Sequence, residues 1–71
     1  MIITLKELMD CLQSPHITKA SYLYMKCNEF MEEMIRQNTL SIQVKQEDMF
    51  DAKAIKNLAL IQRNSEMESI R

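Results

Sequence analysis

The chain has 71 residues, of which 46% are hydrophobic and 27% charged, with a net charge of −1, no glycine and one proline. Glycine supplies the positive φ angles of tight hairpins and phosphate-binding loops, so its absence excludes Gly-rich nucleotide loops and two-residue glycine hairpins. Acidic and basic residues are mixed, and without a basic face no nucleic-acid partner is expected. The sequence also lacks a signal-peptide pattern and the roughly 20 apolar residues of a membrane span, which predicts a cytoplasmic protein.

The residues able to carry out chemistry are few. His16 is the one histidine, and Cys11 and Cys27 are the two cysteines. In a reducing compartment both thiols are expected to stay free and to serve as small apolar side chains. A zinc site would lack its fourth ligand, and no acid pair, nucleophile–base pair or cofactor loop can be assembled. The sequence therefore predicts neither an enzyme nor a cofactor or metal site, and its function should depend on surface presented to a partner.

The first predicted helix covers about residues 4–12. Thr4 and Glu7 match the capping box S/T-x-x-E, in which a hydroxyl and a carboxylate satisfy unpaired N–H groups at a helix start. Apolar residues then follow at i, i+3, i+4 and i+7, which gives one stripe over two turns: Leu5, Leu8, Met9 and Leu12. A helix this short is marginal alone and is expected to dock on the rest of the chain or on a partner.

The second predicted helix covers about residues 15–37, with Ser14 as its N-cap, Pro15 in its first turn and Asn38 as its stop. Its apolar residues fall within an arc of roughly 140° at the helical step of 100° per residue. The centre and one shoulder of this arc are predicted to form the core of a helical hairpin: Ala20, Leu23, Cys27, Phe30 and Met34. The other shoulder is predicted to bind a partner: Ile17, Tyr24, Met31 and Ile35.

Residues 38–47 show no helical stripe. Ile42 and Val44 alternate with polar residues, but an isolated strand has no visible pairing partner, so we expect an extended connection whose two apolar side chains pack on the hairpin.

The third predicted helix covers about residues 48–67, with acidic residues in its first turn. One stripe is predicted to face the second helix and complete the hairpin core: Phe50, Ala54, Ile55, Leu58 and Ile61. A second stripe lies elsewhere on the helix: Met49, Leu60 and Met67. It is predicted to contact a partner, although the short first helix could instead cover part of it and close a three-helix domain.

The expected fold is all-α, a short N-terminal helix followed by an antiparallel two-helix hairpin in a single domain spanning residues 1–71. A core of this size supplies only about 3–5 kcal/mol of stability. Two packed helices also leave apolar surface exposed on both sides of their contact. The remaining apolar surface can be buried by self-dimerisation into a four-helix bundle or by another protein.

The layout resembles that of the small YscE/EscE-type co-chaperones of bacterial type III secretion. The likeness comprises Thr4-Leu5-Lys6-Glu7-Leu8, the amphipathic helix over residues 17–35, and the acidic Gln46-Glu47-Asp48 leading into the helix over residues 50–61. It implies a cytoplasmic helical-hairpin chaperone that binds a tetratricopeptide-like co-chaperone and keeps a needle subunit from polymerising early. Two alternatives stay open, a homodimeric bundle with a regulatory or structural role and a secreted needle- or filament-like subunit.

Overall fold

The computed structural model describes residues 1–69, with side chains described as far as residue 65. In chain order the elements are β1 (Ile2–Thr4), α1 (Leu5–Leu12), α2 (Tyr22–Gln37), β2 (Ser41–Gln43), a 3₁₀ turn (Gln46–Asp48) and α3 (Met49–Ser69). The fold is thus mostly helical, as expected, with the addition of a small two-stranded sheet. Within the described part of the chain, none of the helices has the length and apolar character needed to cross a bilayer.

The two strands pair antiparallel. Ile2 lies opposite Gln43, Ile3 opposite Ile42 and Thr4 opposite Ser41. Because side chains alternate between the two faces of a strand, Ile3, Ile42 and the following Val44 all point into the core. Burial of Ile42 and Val44 confirms one prediction. The expectation that this segment has no strand partner was wrong, because residues 2–4 supply the partner just ahead of the first helix.

Helix α1 begins as its sequence predicts. The Thr4 hydroxyl accepts a hydrogen bond from the Glu7 backbone N–H at 3.2 Å, and the Glu7 carboxylate accepts one from the Thr4 N–H at 3.0 Å. This reciprocal pair is the capping box. Leu8 and Cys11 of this helix are completely buried.

Helix α2 begins at Tyr22 rather than at the predicted Pro15. The intervening segment forms local turns instead, in which the Thr18 N–H donates to the Ser21 hydroxyl at 2.9 Å and the His16 N–H donates to the Ser14 hydroxyl at 3.3 Å. Such side-chain-to-backbone bonds compete with helix formation. Ala20, predicted at the centre of the hairpin core, therefore lies exposed in a turn, and this prediction was wrong.

Helix α2 ends at the predicted position. Asn38 adopts the left-handed conformation with φ 53° and ψ 52°, and its N–H donates to the Ile35 carbonyl at 3.1 Å. Asparagine tolerates this conformation better than most residues, which explains the stop.

The hydrophobic core combines residues from every helix and both strands. Cys27, Phe30, Met34 and Ile55 are buried as predicted. Leu23 and Leu58 are half-buried against the core, and Ala54 is half-buried.

The predicted inner face of the third helix was partly wrong. Phe50 and Ile61 are 83% and 60% exposed, respectively, whereas the buried side chains of α3, as far as residue 65, are Ala52, Ile55 and Ala59. At 100° per residue, Phe50 lies about 140° and Ile61 about 120° around the helix from Ile55. A different face of α3 is buried because this helix packs mainly along α1. Its contact with α2 is much smaller than a two-helix hairpin requires. The small Ala52 and Ala59 permit the close approach of α1.

This assignment of faces predicts a contrast between two alanine substitutions on α3. Ile55→Ala removes a completely buried side chain and should lower the free energy of unfolding by about 2–5 kcal/mol. Phe50→Ala should change it by no more than about 0.5 kcal/mol, because the ring is solvent-exposed. Urea denaturation followed by circular dichroism measures both values, and a larger loss for Phe50→Ala would contradict the described packing.

Candidate protein-binding surface

The most exposed apolar side chain of α1, that of α2 and that of the segment after α2 lie on one surface, together with the half-buried Leu5 and Met31. We call it the Leu40 surface and define it by Leu5, Met9, Met31, Ile35 and Leu40. Ile35 is 77% exposed, Leu40 73% and Met9 51%. Two adjoining depressions of about 360 and 420 Å³ share Leu5 and Leu40 in their walls, and so the five side chains form one continuous surface.

Backbone hydrogen bonds fix the position of Leu40. The left-handed turn at Asn38 reverses the chain, and the Thr39 N–H donates to the Met34 carbonyl at 3.0 Å. The Leu5 N–H then donates to the Leu40 carbonyl at 2.9 Å, which extends the strand pairing by one residue on each side. Leu40 is thus placed between the start of α1 and the end of α2.

The chemistry of this surface suits an apolar partner. Six of the eleven residues that line the two depressions are apolar, and the two charged ones are paired, with Lys6 Nζ 3.9 Å from Asp10 Oδ2. Two of its five defining residues are methionines, whose flexible and polarizable side chains adapt to differently shaped partners. A contiguous exposed apolar patch is typical of interaction sites, whereas single exposed apolar residues are common on any protein.

The structure brings together two of the seven residues predicted to bind a partner, Met31 and Ile35. Tyr24 is half-buried on the same stripe of α2, about 10 Å from Met31 and about 16 Å from Ile35 toward the N-terminus of the helix. Ile17 and Met49 are half-buried against the core. Leu60 is 55% exposed on α3, in a separate depression that Lys6 and Asp10 also line. The side chain of Met67 lies outside the described residues.

Three members of the Leu40 surface were missed from the sequence. Leu5 and Met9 were assigned to the stripe with which the first helix docks on the chain or on a partner, but they were not named among the partner-binding residues. Leu40 carried no signal because it stands alone between two polar residues, and only the strand pairing places it beside Leu5.

A second exposed apolar area lies on α3. It comprises the exposed Phe50 and Ile61 with the half-buried Ala54 and Leu58 beside them, and we call it the α3 face. Four of the five residues that the sequence assigned to the inner stripe of this helix therefore border an open surface.

A charged network joins the start of α2 to the start of α3. The Lys26 Nζ lies 3.1 Å from Asp48 Oδ1, 3.1 Å from Glu29 Oε2 and 4.0 Å from Asp51 Oδ2, and its side chain is only 12% exposed. Burial alone would lower the pKa of Lys26, but hydrogen bonds to Asp48 and Glu29 outweigh it and the pKa is raised. The Tyr22 hydroxyl donates to Asp51 Oδ2 at 2.9 Å, which raises the pKa of Tyr22.

The two cysteines are unsuited to nucleophilic chemistry. Cys11 and Cys27 are free thiols, as expected, and both are completely buried. Burial raises the pKa of each thiol, that of Cys27 to about 12, so that neither forms a reactive thiolate near neutral pH. Within residues 1–65, no three His, Cys, Asp or Glu side chains lie close enough together to hold a metal ion.

Comparison of the chain with protein-family models, with curated proteins and with solved structures finds no match.

The Lys26 network predicts a measurable contribution to stability. Lys26→Met should lower the free energy of unfolding at pH 7 by about 1–3 kcal/mol, because Asp48 loses a charged hydrogen-bond partner. Lys19→Met is the matched control, since Lys19 is exposed and should give a change of no more than about 0.5 kcal/mol.

The same network predicts how stability depends on pH. A lysine whose pKa is raised in the folded state stabilises the fold fully below its unfolded pKa of about 10.4, and the stabilisation disappears as pH rises further. Wild-type protein should therefore lose stability above about pH 10 more steeply than Lys26→Met. Equal slopes in urea denaturation series at pH 8–11 would contradict this assignment.

Proposed function

We propose that this chain is a small protein-binding module, an adaptor or co-chaperone, which uses the Leu40 surface to bind an amphipathic helix of another protein. The observation that carries the proposal is the position of Ile35 and Leu40, both about three-quarters exposed and both lining the depression of about 360 Å³. Burying one such side chain is favourable by about 1.5–3 kcal/mol. A partner that covers both therefore gains about 3–6 kcal/mol toward the free-energy cost of association, and covering the neighbouring Leu5, Met9 and Met31 adds to it.

The shape of the surface favours a helical partner. Helices α1 and α2 form its sides and Leu40 stands between them, as in complexes where an amphipathic helix places apolar side chains every three or four residues into a groove.

The resemblance to YscE/EscE-type proteins supplies a specific version of this proposal. The partners would then be a tetratricopeptide-like co-chaperone and a secretion needle subunit, bound in the bacterial cytoplasm to prevent early polymerisation. The short capped helix followed by two longer helices supports that version. The strand pair and the packing of α1 along α3 are features that the resemblance did not imply.

A second candidate function is a homodimer with a regulatory or structural role. The α3 face favours it, because Phe50, Ala54, Leu58 and Ile61 recur at the spacing with which two helices pack against each other. In this version a second copy, rather than a different protein, covers the exposed apolar area.

Aspartate substitutions on the two surfaces test these proposals. Ile35→Asp and Leu40→Asp should each reduce partner recovery by at least about tenfold, because each places a charge where an apolar contact is expected. Ile61→Asp is the matched control on the α3 face and should leave recovery unchanged. The measurement is affinity purification from the source cells with quantitative mass spectrometry, after circular dichroism has shown that each variant is folded.

Light scattering of the purified protein separates the two candidates. A monomer whose partner recovery depends on Ile35 and Leu40 supports the binding module. A dimer that dissociates with Ile61→Asp, and not with Ile35→Asp, supports the homodimer instead. A monomer that binds no dye for exposed apolar surface, and recovers the same proteins with all three variants, contradicts both.

A further inference from the structure

The outer edge of β2 carries backbone groups without a neighbouring strand. In an antiparallel pair, residues that exchange hydrogen bonds alternate with residues that do not. The Leu5 N–H donates to the Leu40 carbonyl, and the Val44 N–H donates to the Met1 carbonyl at 2.8 Å. The residue pairs that exchange backbone hydrogen bonds are therefore these: Leu5 with Leu40, Ile3 with Ile42 and Met1 with Val44.

The residues between these bonded positions direct their backbone N–H and carbonyl groups toward the outer edges of the sheet. On β1, the Glu7 carboxylate takes up the outward N–H of Thr4. On β2, the Thr39 hydroxyl accepts the outward N–H of Ser41 at 3.4 Å. The N–H and carbonyl of Gln43 also point outward, and because residues 1–69 form a sheet of two strands, none of them supplies a strand there to bond these groups. The chain stays extended through Lys45, with φ −69° and ψ 153°.

A groove of about 300 Å³ follows this edge. Residues 42–45 form one wall, α2 forms the other, and Phe30, Ile42 and Val44 reach its base. The Lys26 ammonium lies 5.4 Å from the centre of the Phe30 ring and closes one end. The groove thus combines an apolar base with a free strand edge.

The charges around the groove are largely paired. Lys26 binds Asp48 and Glu29, and Arg36 binds Glu33. Four carboxylates and three basic side chains line the groove, and Glu32 is the carboxylate without an ion pair among the described residues. The surplus of one negative charge favours a neutral or basic occupant.

We propose that this edge binds an extended, neutral-to-basic peptide segment of another protein, which adds to β2 as a third strand. The unbonded N–H and carbonyl of Gln43 select an extended backbone rather than a helix, as in other complexes formed by strand addition. The site lies on a different part of α2 from the Leu40 surface, and its test does not depend on the proposed function.

The pairing of the bound peptide with β2 determines which type of side chain is needed at each peptide position. The residue opposite Gln43 exchanges both backbone hydrogen bonds with it and points its side chain outward, as Gln43 does. The residues on either side of it point toward Phe30 and should be apolar. Acetyl-Lys-Val-Thr-Val-Lys-amide meets these requirements, with threonine opposite Gln43, valines over the base and lysines at the ends.

The test is a titration of the ¹⁵N-labelled full chain with this peptide, followed by NMR. We expect saturable shifts centred on the Gln43 and Lys45 amides, with a dissociation constant at or below about 1 mM. Gln43→Pro removes the outward N–H without removing a bond to β1 and should weaken binding about fivefold. Gln43→Thr keeps that N–H and is the matched control, with binding unchanged. The same peptide N-methylated at threonine should also bind the unmodified chain about fivefold more weakly, which tests the strand bonds even if Gln43→Pro fails to fold.

Three results would overturn the proposal. The first is no saturable shift at Gln43, and the second is equal binding of the N-methylated peptide. The third is a shift at Gln43 that depends on protein concentration without peptide, which would identify a second copy as the occupant.

Discussion

The pairing of residues 2–4 with residues 41–43 positions every helix of this protein. Three residues in each strand are enough to position the helices, because Ile3, Ile42 and Val44 enter the core beneath the strands. Their backbones at the same time form hydrogen bonds across the pair. The pair fixes the start of α1, since Thr4 is both the last residue of β1 and the N-cap of the helix. It also closes the loop from α2, because it holds Leu40 against Leu5. Helix α1 then packs along α3, and this contact decides which side of α3 is buried.

This arrangement explains why apolar surface is left open. Helix α3 turns Ala52, Ile55 and Ala59 toward α1, so Phe50 and Ile61 face away from the core. Helix α2 contributes Cys27, Phe30 and Met34 to the core, whereas Ile35 projects beyond it. A chain of this size has too few elements to cover both areas, which is why a partner or a second copy is the physical expectation.

Local signals in the sequence predicted two helix ends correctly, but Ser14 and Pro15 predicted a start for α2 that the structure places at Tyr22. The capping box of Thr4 and Glu7 and the stop at Asn38 each depend on a few neighbouring residues, and both are present in the structure. Choices that depend on distant contacts were predicted poorly. The apolar residues from Phe50 to Ile61 do follow helical periodicity. Periodicity does not indicate which helix packs against them, however, and α1 packs against a different face of α3. Residues 2–4 gave no local strand signal, because their partner strand, Ser41–Gln43, lies about 40 residues away along the chain. Leu40 was missed for the same reason.

Amide hydrogen exchange tests most directly the claim that the strand pair organises the fold. The account predicts that the amides of Ile3, Ile42 and Val44 exchange as slowly as those in the buried parts of α1 and α2, because the strand pair and these helices unfold as one cooperative unit. Exchange of these three amides at the rate of an unstructured peptide, while the helix amides stay protected, would contradict it.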